Sequence, residues 1–314
     1  MTEAVAKKKE GLSGVLVIDK PRGPTSHDAV ARLRKQLKTR AIGHSGTLDP
    51  MATGVLVMAL GEATKLVPYL TQADKSYEAT LLFGVETDSL DADGKETARV
   101  EVGSETRAAL ERIRRGEAPT ELLGALAMEQ ARTSQVPPSF SAIKQAGEPS
   151  YARARRGELV ELPPRAVVVR AIRLLDGGVD PAPWCALALD VGKGYYVRAV
   201  ARDLARALGT VGHLTALRRT RSGGFTLEEA LPLDTPPDEL EARIIPLERA
   251  AARALPTLEL SESAAADARF GRPVALDDVD CPPGPHAWFD PAGALVAIGE
   301  RHAEGHGQVL RGFC

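Results

Sequence analysis

Cysteine is scarce in this 314-residue chain, and Cys185, Cys281 and Cys314 are widely spaced with no CxxC pair. That argues against a disulfide scaffold and a structural zinc ribbon, and it predicts a reducing, cytoplasmic setting. Long apolar runs are also missing. The longest aliphatic stretch, residues 55–60, is far below the roughly 20 residues that a membrane helix requires. The lysines of MTEAVAKKKEGLSG are followed by no apolar segment, so neither a membrane nor an export role is expected. Aromatics make up only 4%.

Familiar catalytic signatures are absent as well. There is no P-loop, no GxGxxG after a strand and no GxSxG, which removes the usual support for nucleotide-dependent and serine-hydrolase chemistry. The SxxK at residues 141–144 has no KTG or SDN partner. Aligning Gly94 of SLDADG with the glycine of a calcium loop puts Ser89, Asp91 and Asp93 at ligand positions, but Val100 falls where a bidentate glutamate is required. His286, His302 and His306 lie near Cys281 and Cys314 in sequence without metal-ligand spacing, so no metal is expected.

Net charge is almost lacking: 40 basic against 42 acidic residues leave −2. The total hides a pattern. Residues 1–70 carry +5, 71–131 carry −6, 132–222 carry +8 and 223–314 carry −9, so one central segment offers a basic face to an acidic polymer.

The chain alternates elements of both kinds. GVLVID at 14–19 reads as a buried strand, and after KPRGPT an N-cap at Ser26 opens a helix with Ala29, Val30, Leu33 and Leu37 on one face. The loop GHSGTLDPMATG precedes the strand VLVMAL and a short helix at 62–70. In KSYEATLLFG, Tyr77, Ala79, Leu81 and Phe83 alternate with polar residues, the period of a half-buried strand. Two amphipathic helices follow between residues 105 and 128. A proline-bearing basic stretch at 132–165 then predicts an exposed arm. Strands are expected at 166–175 and 184–191. In the next helix Val197, Val200, Leu204 and Leu208 face inward, which leaves Arg198, Arg202 and Arg206 as an opposite stripe, ordinarily a solvated one. The acidic, proline-rich stretch LPLDTPPDEL places a boundary near residue 250.

The loop around Asp49 carries the chemistry. Gly43, Gly46 and Gly54 permit close approach of another backbone, and Pro50 biases Asp49 towards an extended conformation, so a carboxylate projects from a stiff turn. An ordinary Asx turn would use the same residues. GHSGTLDPMATGVL, however, stands with VIDKPRGPTSHD upstream and with KSYEATLLFG, GKGYYVRAVARDLA and HLTALRRT downstream. In that order and spacing, from about residue 14 to 226, the chain resembles the bacterial tRNA pseudouridine-55 synthases, the TruB-type pseudouridine synthase family. PTLELSESAAADARFGRPV resembles the start of that family's C-terminal PUA domain.

The resemblance implies an α+β fold: a mixed, mainly antiparallel sheet in a catalytic domain of residues 1–250, with an RNA-binding arm at about 128–160, and a small β-rich PUA domain at 251–314. It implies isomerisation of uridine 55 in the T-loop of tRNA to pseudouridine, with the base flipped out of its stack and no cofactor, because exchanging a C–N for a C–C glycosidic bond is redox-neutral. Asp49 matches the catalytic aspartate, as nucleophile or as base at the sugar. Arg198 matches the arginine paired with it, and Tyr77 the aromatic that stacks on the base and takes part in removing the C5 proton. His44 matches the histidine that makes stacking contacts in the rearranged T-loop, and Tyr196 and Leu217 match the uracil pocket wall. Lys20 corresponds to a buttress of the catalytic loop, although a lysine there could equally meet phosphate. Arg132, Lys144, Arg153, Arg155 and Arg156 lie on or beside the arm and would meet RNA backbone. The expected partner is the T-arm of tRNA, bound by a monomer without a guide RNA. An RNA-folding protein with secondary isomerase activity and a guide-RNA-dependent synthase are the competing readings.

Overall fold

The computed structural model describes residues 11–141, 143–145, 147–150, 153, 156–158, 160–276, 282–302 and 305–313. Nine strands form the central sheet: β1 (Gly14–Lys20), β2 (Ile42–His44), β3 (Thr53–Leu60), β4 (Lys75–Phe83), β5 (Val169–Gly178), β6 (Trp184–Val191), β7 (Gly212–Ser222), β8 (Phe225–Thr226) and β9 (Leu231–Pro232). Their order is β5-β6-β4-β7-β3-β1-β9, with β2 on β3 and β8 on β7. All neighbours are antiparallel except β3 beside β7 and β1 beside β9, so the mixed, mainly antiparallel α+β sheet is as expected.

The apolar patterns follow from which faces are covered. In β1, Leu16 and Ile18 join one core while Val15 and Val17 join another. In β3, Leu56, Met58 and Leu60 face the first core and Val55, Val57 and Ala59 the second. Strands buried on both faces read as continuous apolar runs. Further out, β4 buries Tyr77, Ala79, Leu81 and Phe83 and leaves Glu78 exposed, so it alternates. The first core is completed by α1 (Ser26–Gln36), α2 (Ser104–Ile113), α3 (Thr120–Gln130) and α4 (Val197–Ala207). No helix among the described residues is long and apolar enough to cross a membrane.

Residues 257–312 add a five-stranded sheet of β10 (Thr257–Glu259), β11 (Val274–Ala275), β12 (His286–Phe289), β13 (Leu295–Arg301) and β14 (His306–Gly312), in the order β10-β12-β13-β14-β11. One side of it, with α5 (Glu262–Arg269), encloses Trp288, Val296 and Val274. From the other side Ala287, Leu295, Ile298 and Phe313 pack into the second core with Val15, Val17, Val55 and Val57.

Three local expectations are corrected. Thr25, not Ser26, caps α1: its hydroxyl accepts from Asp28 N at 3.1 Å while the Asp28 carboxylate accepts from Thr25 N at 2.8 Å, a reciprocal capping box. β5 begins at Val169 rather than 166, after a separate short strand, Arg165–Ala166, that pairs with Ser134–Gln135 and closes the base of the arm. Gly43 is not a close approach, since a Cβ there would meet only Val67 Cγ2 at 3.7 Å.

Candidate active site

β3 and β7 share only two rungs, Thr53 with Arg218 and Gly54 with Arg219, and the turn carrying Asp49 lies just before them. A Cβ on Gly54 would stand 2.2 Å from the Arg219 carbonyl oxygen, so only glycine lets these strands meet. Pro50 and the Asp49 carbonyl, which accepts from Ala52 N at 3.1 Å, close the turn.

Several contacts hold this turn. Ser26, freed from capping duty, is buried and grips Leu48 on both sides: Leu48 N donates to Ser26 Oγ at 2.9 Å, and Oγ donates to the Leu48 carbonyl at 3.2 Å. The fully buried Lys20 donates from Nζ to the carbonyls of Pro21 and Pro24, both at 2.8 Å, and of Pro50 at 3.4 Å. Gly23 N donates to the same Pro50 carbonyl at 2.8 Å. Burial pulls the Lys20 ammonium down to about 8, against the opposing pull of Asp49. The Lys20 ammonium is thus turned inward onto carbonyls of the two loops.

Arg198 is only 5% exposed, unlike the solvated stripe that its helical position suggests. Its Nε lies 2.9 Å from Asp49 Oδ2 and its Nη2 donates to Oδ1 at 3.3 Å. The Nε–H is not aligned on the carboxylate, so the pair is ionic at Nε and hydrogen-bonded at Nη2. The guanidinium is fixed by two carbonyls: Nη1 donates to Ser89 and Nη2 to Phe140, each at 2.7 Å. The Asp49 side chain keeps 34% of its surface open to solvent. A carboxylate paired with a buried arginine yet open on one side can meet a ribose carbon.

Sequence reasoning missed Asp91. Dismissed as a calcium ligand, it is 5% exposed and sits 3.7 Å from Arg198 Nε, the same nitrogen that faces Asp49. Its Oδ1 accepts from Ser89 Oγ at 2.5 Å and from Asp93 N at 3.1 Å. Burial pushes its carboxyl upward, with Ser89 and Arg198 opposing. Sequence could have flagged SLDADG as a tight Asx turn, but nothing in it ties residue 91 to residue 198. Ser26 was likewise seen only as a cap.

Tyr77 lies on β4 in register with Arg219 of β7, beside Leu217, and both Tyr77 and Leu217 belong to the core that includes Leu48 and Met51. Tyr196 precedes α4, and its backbone is bridged by the Gln135 amide: Tyr196 N donates at 2.9 Å and its carbonyl accepts at 3.2 Å. Burial raises the Tyr196 phenol. The His44 ring meets His27 edge to face, with centroids 5.5 Å apart. Burial, with His27 and Arg219 nearby, lowers its pKa, so His44 is a neutral ring at physiological pH.

The arm residues are placed differently. Arg132 turns to Glu129 at 2.7 Å and Asp203 at 3.7 Å at the arm's base. There it lines a hollow of 310 Å³ with Arg202 and Arg206. Arg153 pairs with Glu158 at 2.7 Å, and Arg156 with Glu148 at 2.5 Å and Glu158 at 2.7 Å. Arg155 and the side chain of Lys144 lie outside the described residues.

A family model described as the TruB family pseudouridylate synthase N-terminal domain matches residues 34–197, and one described as the tRNA pseudouridylate synthase B C-terminal domain matches 198–252. The C-terminal five-stranded sheet lies beyond both. The tRNA pseudouridine synthase B of Arthrobacter sp. (strain FB24) is 40% identical over 304 residues, covering 91% of this chain and 92% of its own. That of Mycobacterium sp. (strain KMS) is 43% identical over 290 residues, covering 91% of each. Among solved structures, a chain of a Cbf5-Nop10-Gar1 complex superposes with a TM-score of 0.71 at 25% identity, covering 96% of this chain and 84% of that one.

Proposed function

The chain belongs to the TruB family of pseudouridylate synthases, and we propose that in it Asp49 is the carboxylate that attacks or deprotonates the ribose of a flipped uridine. It is a tRNA pseudouridine synthase, an isomerase acting on uridine 55 of the T-loop. The reaction breaks the C1′–N1 bond, forms C1′–C5, sends the C5 proton to solvent and returns a proton to N1. The observation that carries Asp49 is its contact with the buried Arg198, which supports an anion in a cleft that excludes water once a base enters.

The other assignments follow the same cleft. Tyr77 stacks on the uracil and serves the C5 proton transfer; Leu217 and Tyr196 bound the base; His44 offers a neutral ring to the rearranged loop. Asp91 helps to hold Arg198. The arm's arginines contact the T-stem backbone, and the enzyme works as a cytoplasmic monomer without a guide RNA. We read residues from about 250 onwards as a PUA-like domain, supported by their separate small sheet. The −9 charge of residues 223–314 gives it a minor share of RNA affinity.

The test is a T-arm hairpin tritiated at C5 of the target uridine. Wild type alone should release tritium and Asp49→Asn should not, although it still binds the hairpin. Release by Asp49→Asn at the wild-type rate would remove Asp49 from the chemistry. An inert wild type rescued by a guide RNA would favour the guide-dependent reading.

A further inference from the structure

Arg219 of β7 is 1% exposed and ranks with Trp288 among the largest side chains wholly enclosed by the fold. Among the described residues it forms no ion pair. Its Nε donates to the Val55 carbonyl at 2.6 Å and its Nη2 to the Gly46 carbonyl at 3.1 Å. Those carbonyls stand at the two ends of the turn that carries Asp49. The Arg219 backbone is the partner of Gly54 on one side and of Tyr77 on the other. One residue therefore joins the stacking strand to both ends of the catalytic turn.

A buried guanidinium solvated by carbonyl dipoles alone is a costly choice where a leucine would pack. The same region encloses two more cations, Lys20 on the Pro21, Pro24 and Pro50 carbonyls and Lys75 on the Thr71 and Ala73 carbonyls at 3.1 and 2.7 Å. Lys75 also fills the space under Gly46, where a Cβ would stand 3.3 Å from its Cε. Cations placed on backbone carbonyls brace the turn without adding a further carboxylate to the Asp49 and Asp91 pair already at Arg198.

We propose that Arg219 is a positioning residue for the reaction: by pinning Gly46 and Val55 to the strand opposite Tyr77, it fixes the Asp49 carboxylate relative to the base-stacking ring. It touches no substrate. This inference rests on the assignment of Asp49 made above.

The guanidinium holds the two carbonyls through two different nitrogens of one rigid fork, Nε and Nη2, a geometry that a lysine's single nitrogen on a flexible stem does not reproduce. Arg219→Lys keeps the charge and loses the clamp. The expected result is a fall in single-turnover rate of about 10- to 100-fold, the range for a small misplacement of a reacting group, with T-arm affinity within twofold of wild type. Arg219→Gln should lose more rate and also leave affinity intact. Asp49→Asn, measured alongside, sets the floor. If wild type itself releases no tritium, the Asp49 reading fails and this one with it; if wild type turns over and Arg219→Lys matches its rate, only this inference is overturned. A rate loss that tracks melting temperature or RNA affinity, or failure of both variants to fold, would assign Arg219 to structure alone and likewise overturn it.

Discussion

The carbonyl of Phe140, at the base of the arm, accepts a hydrogen bond at 2.7 Å from Arg198, through the same terminal nitrogen that reaches Asp49 at 3.3 Å. The arm and the reacting carboxylate thus share one guanidinium. Displacing the Phe140 carbonyl would free the nitrogen that faces Asp49 without any change in the turn that carries it.

Gln135 is the bolt that keeps this base in place, 2% exposed and bonded to both backbone groups of Tyr196. Gln135→Ala leaves the part-buried Tyr196 N–H unpaired, while the Tyr196 carbonyl still accepts from Ala199 N at 3.1 Å, and such a loss costs about 1–3 kcal/mol. The single-turnover rate is expected to fall about tenfold, beyond any loss of T-arm affinity measured by filter binding. Equal losses in both would separate the arm from the chemistry.

Ser26 and Thr25 are neighbours with different tasks. Thr25→Ala removes a cap and should cost about 1 kcal/mol in urea unfolding while the rate is unchanged. Ser26→Ala strips Leu48 of its partner and should cost a similar amount together with about a tenfold fall in rate. Parallel rate losses in the two variants would show that the Leu48 contact does not matter for Asp49.

Asp91→Asn keeps an oxygen for Ser89 and Asp93 N but removes the charge 3.7 Å from Arg198 Nε. The rate should fall about tenfold with binding unchanged, because Arg198 loses one of the anions that fix it. Asp91→Ala, which also abandons both hydrogen bonds, should cost a further 1–3 kcal/mol of stability. Wild-type turnover by Asp91→Asn would confine Asp91 to turn geometry.

Lys20 and Lys75 are both pulled down to about 8, chiefly by burial. Between that value and 10.5 the unfolded chain binds more protons than the native one, so stability rises with pH, and the penalty for enclosing the charged forms is fully present below about pH 8. From pH 8 to 9 the gain is about 1 kcal/mol per lysine. Urea midpoints of wild type should therefore climb relative to a Lys20→Met, Lys75→Met double variant, a difference in which Cys185 and the tyrosines cancel. Identical pH slopes would place both ammonium groups at their ordinary value.

On the arm, Arg153 and Arg156 are engaged with Glu148 and Glu158, and if they meet RNA as proposed it would have to displace those carboxylates. Glu158→Gln should tighten T-arm binding severalfold. Arg153→Glu with Arg156→Glu should weaken it and reduce the slope of log affinity against log salt by about 2. An unchanged slope would move the RNA path away from these side chains.

The parts of the site that obey local rules were legible in sequence. The glycine and proline around Asp49 encode a turn, Tyr77 heads the inward row of an alternating strand, and Val197, Val200 and Leu204 mark the buried side of α4. What could not be read depends on distant chain segments. A helical arginine stripe signals solvent unless a turn 109 residues away supplies a carbonyl for it, as Ser89 does for Arg198. Ser26 has the residue type of a cap, and only the approach of Leu48 turns it inward. Asp91 and Arg219 were hidden for the same reason, since the Arg198 side chain near Asp91 and the Val55 and Gly46 carbonyls that accept from Arg219 come from distant parts of the chain. Arg198 itself was reached through the family resemblance, since its spacing alone favoured a solvated side chain.

The aliphatic stripe of Val15, Val17, Val55 and Val57 is the second face of β1 and β3, and it shares one cluster with Ala250 and Ala251 and with Ala287, Leu295, Ile298 and Phe313 of the C-terminal segment. A chain cut near residue 255 would lose Ala287, Leu295, Ile298 and Phe313 from that cluster and present its outer part to water and to other copies of itself. Its failure would be colloidal before it was enzymatic, and a precipitated truncation would say nothing about how tightly the missing segment grips RNA.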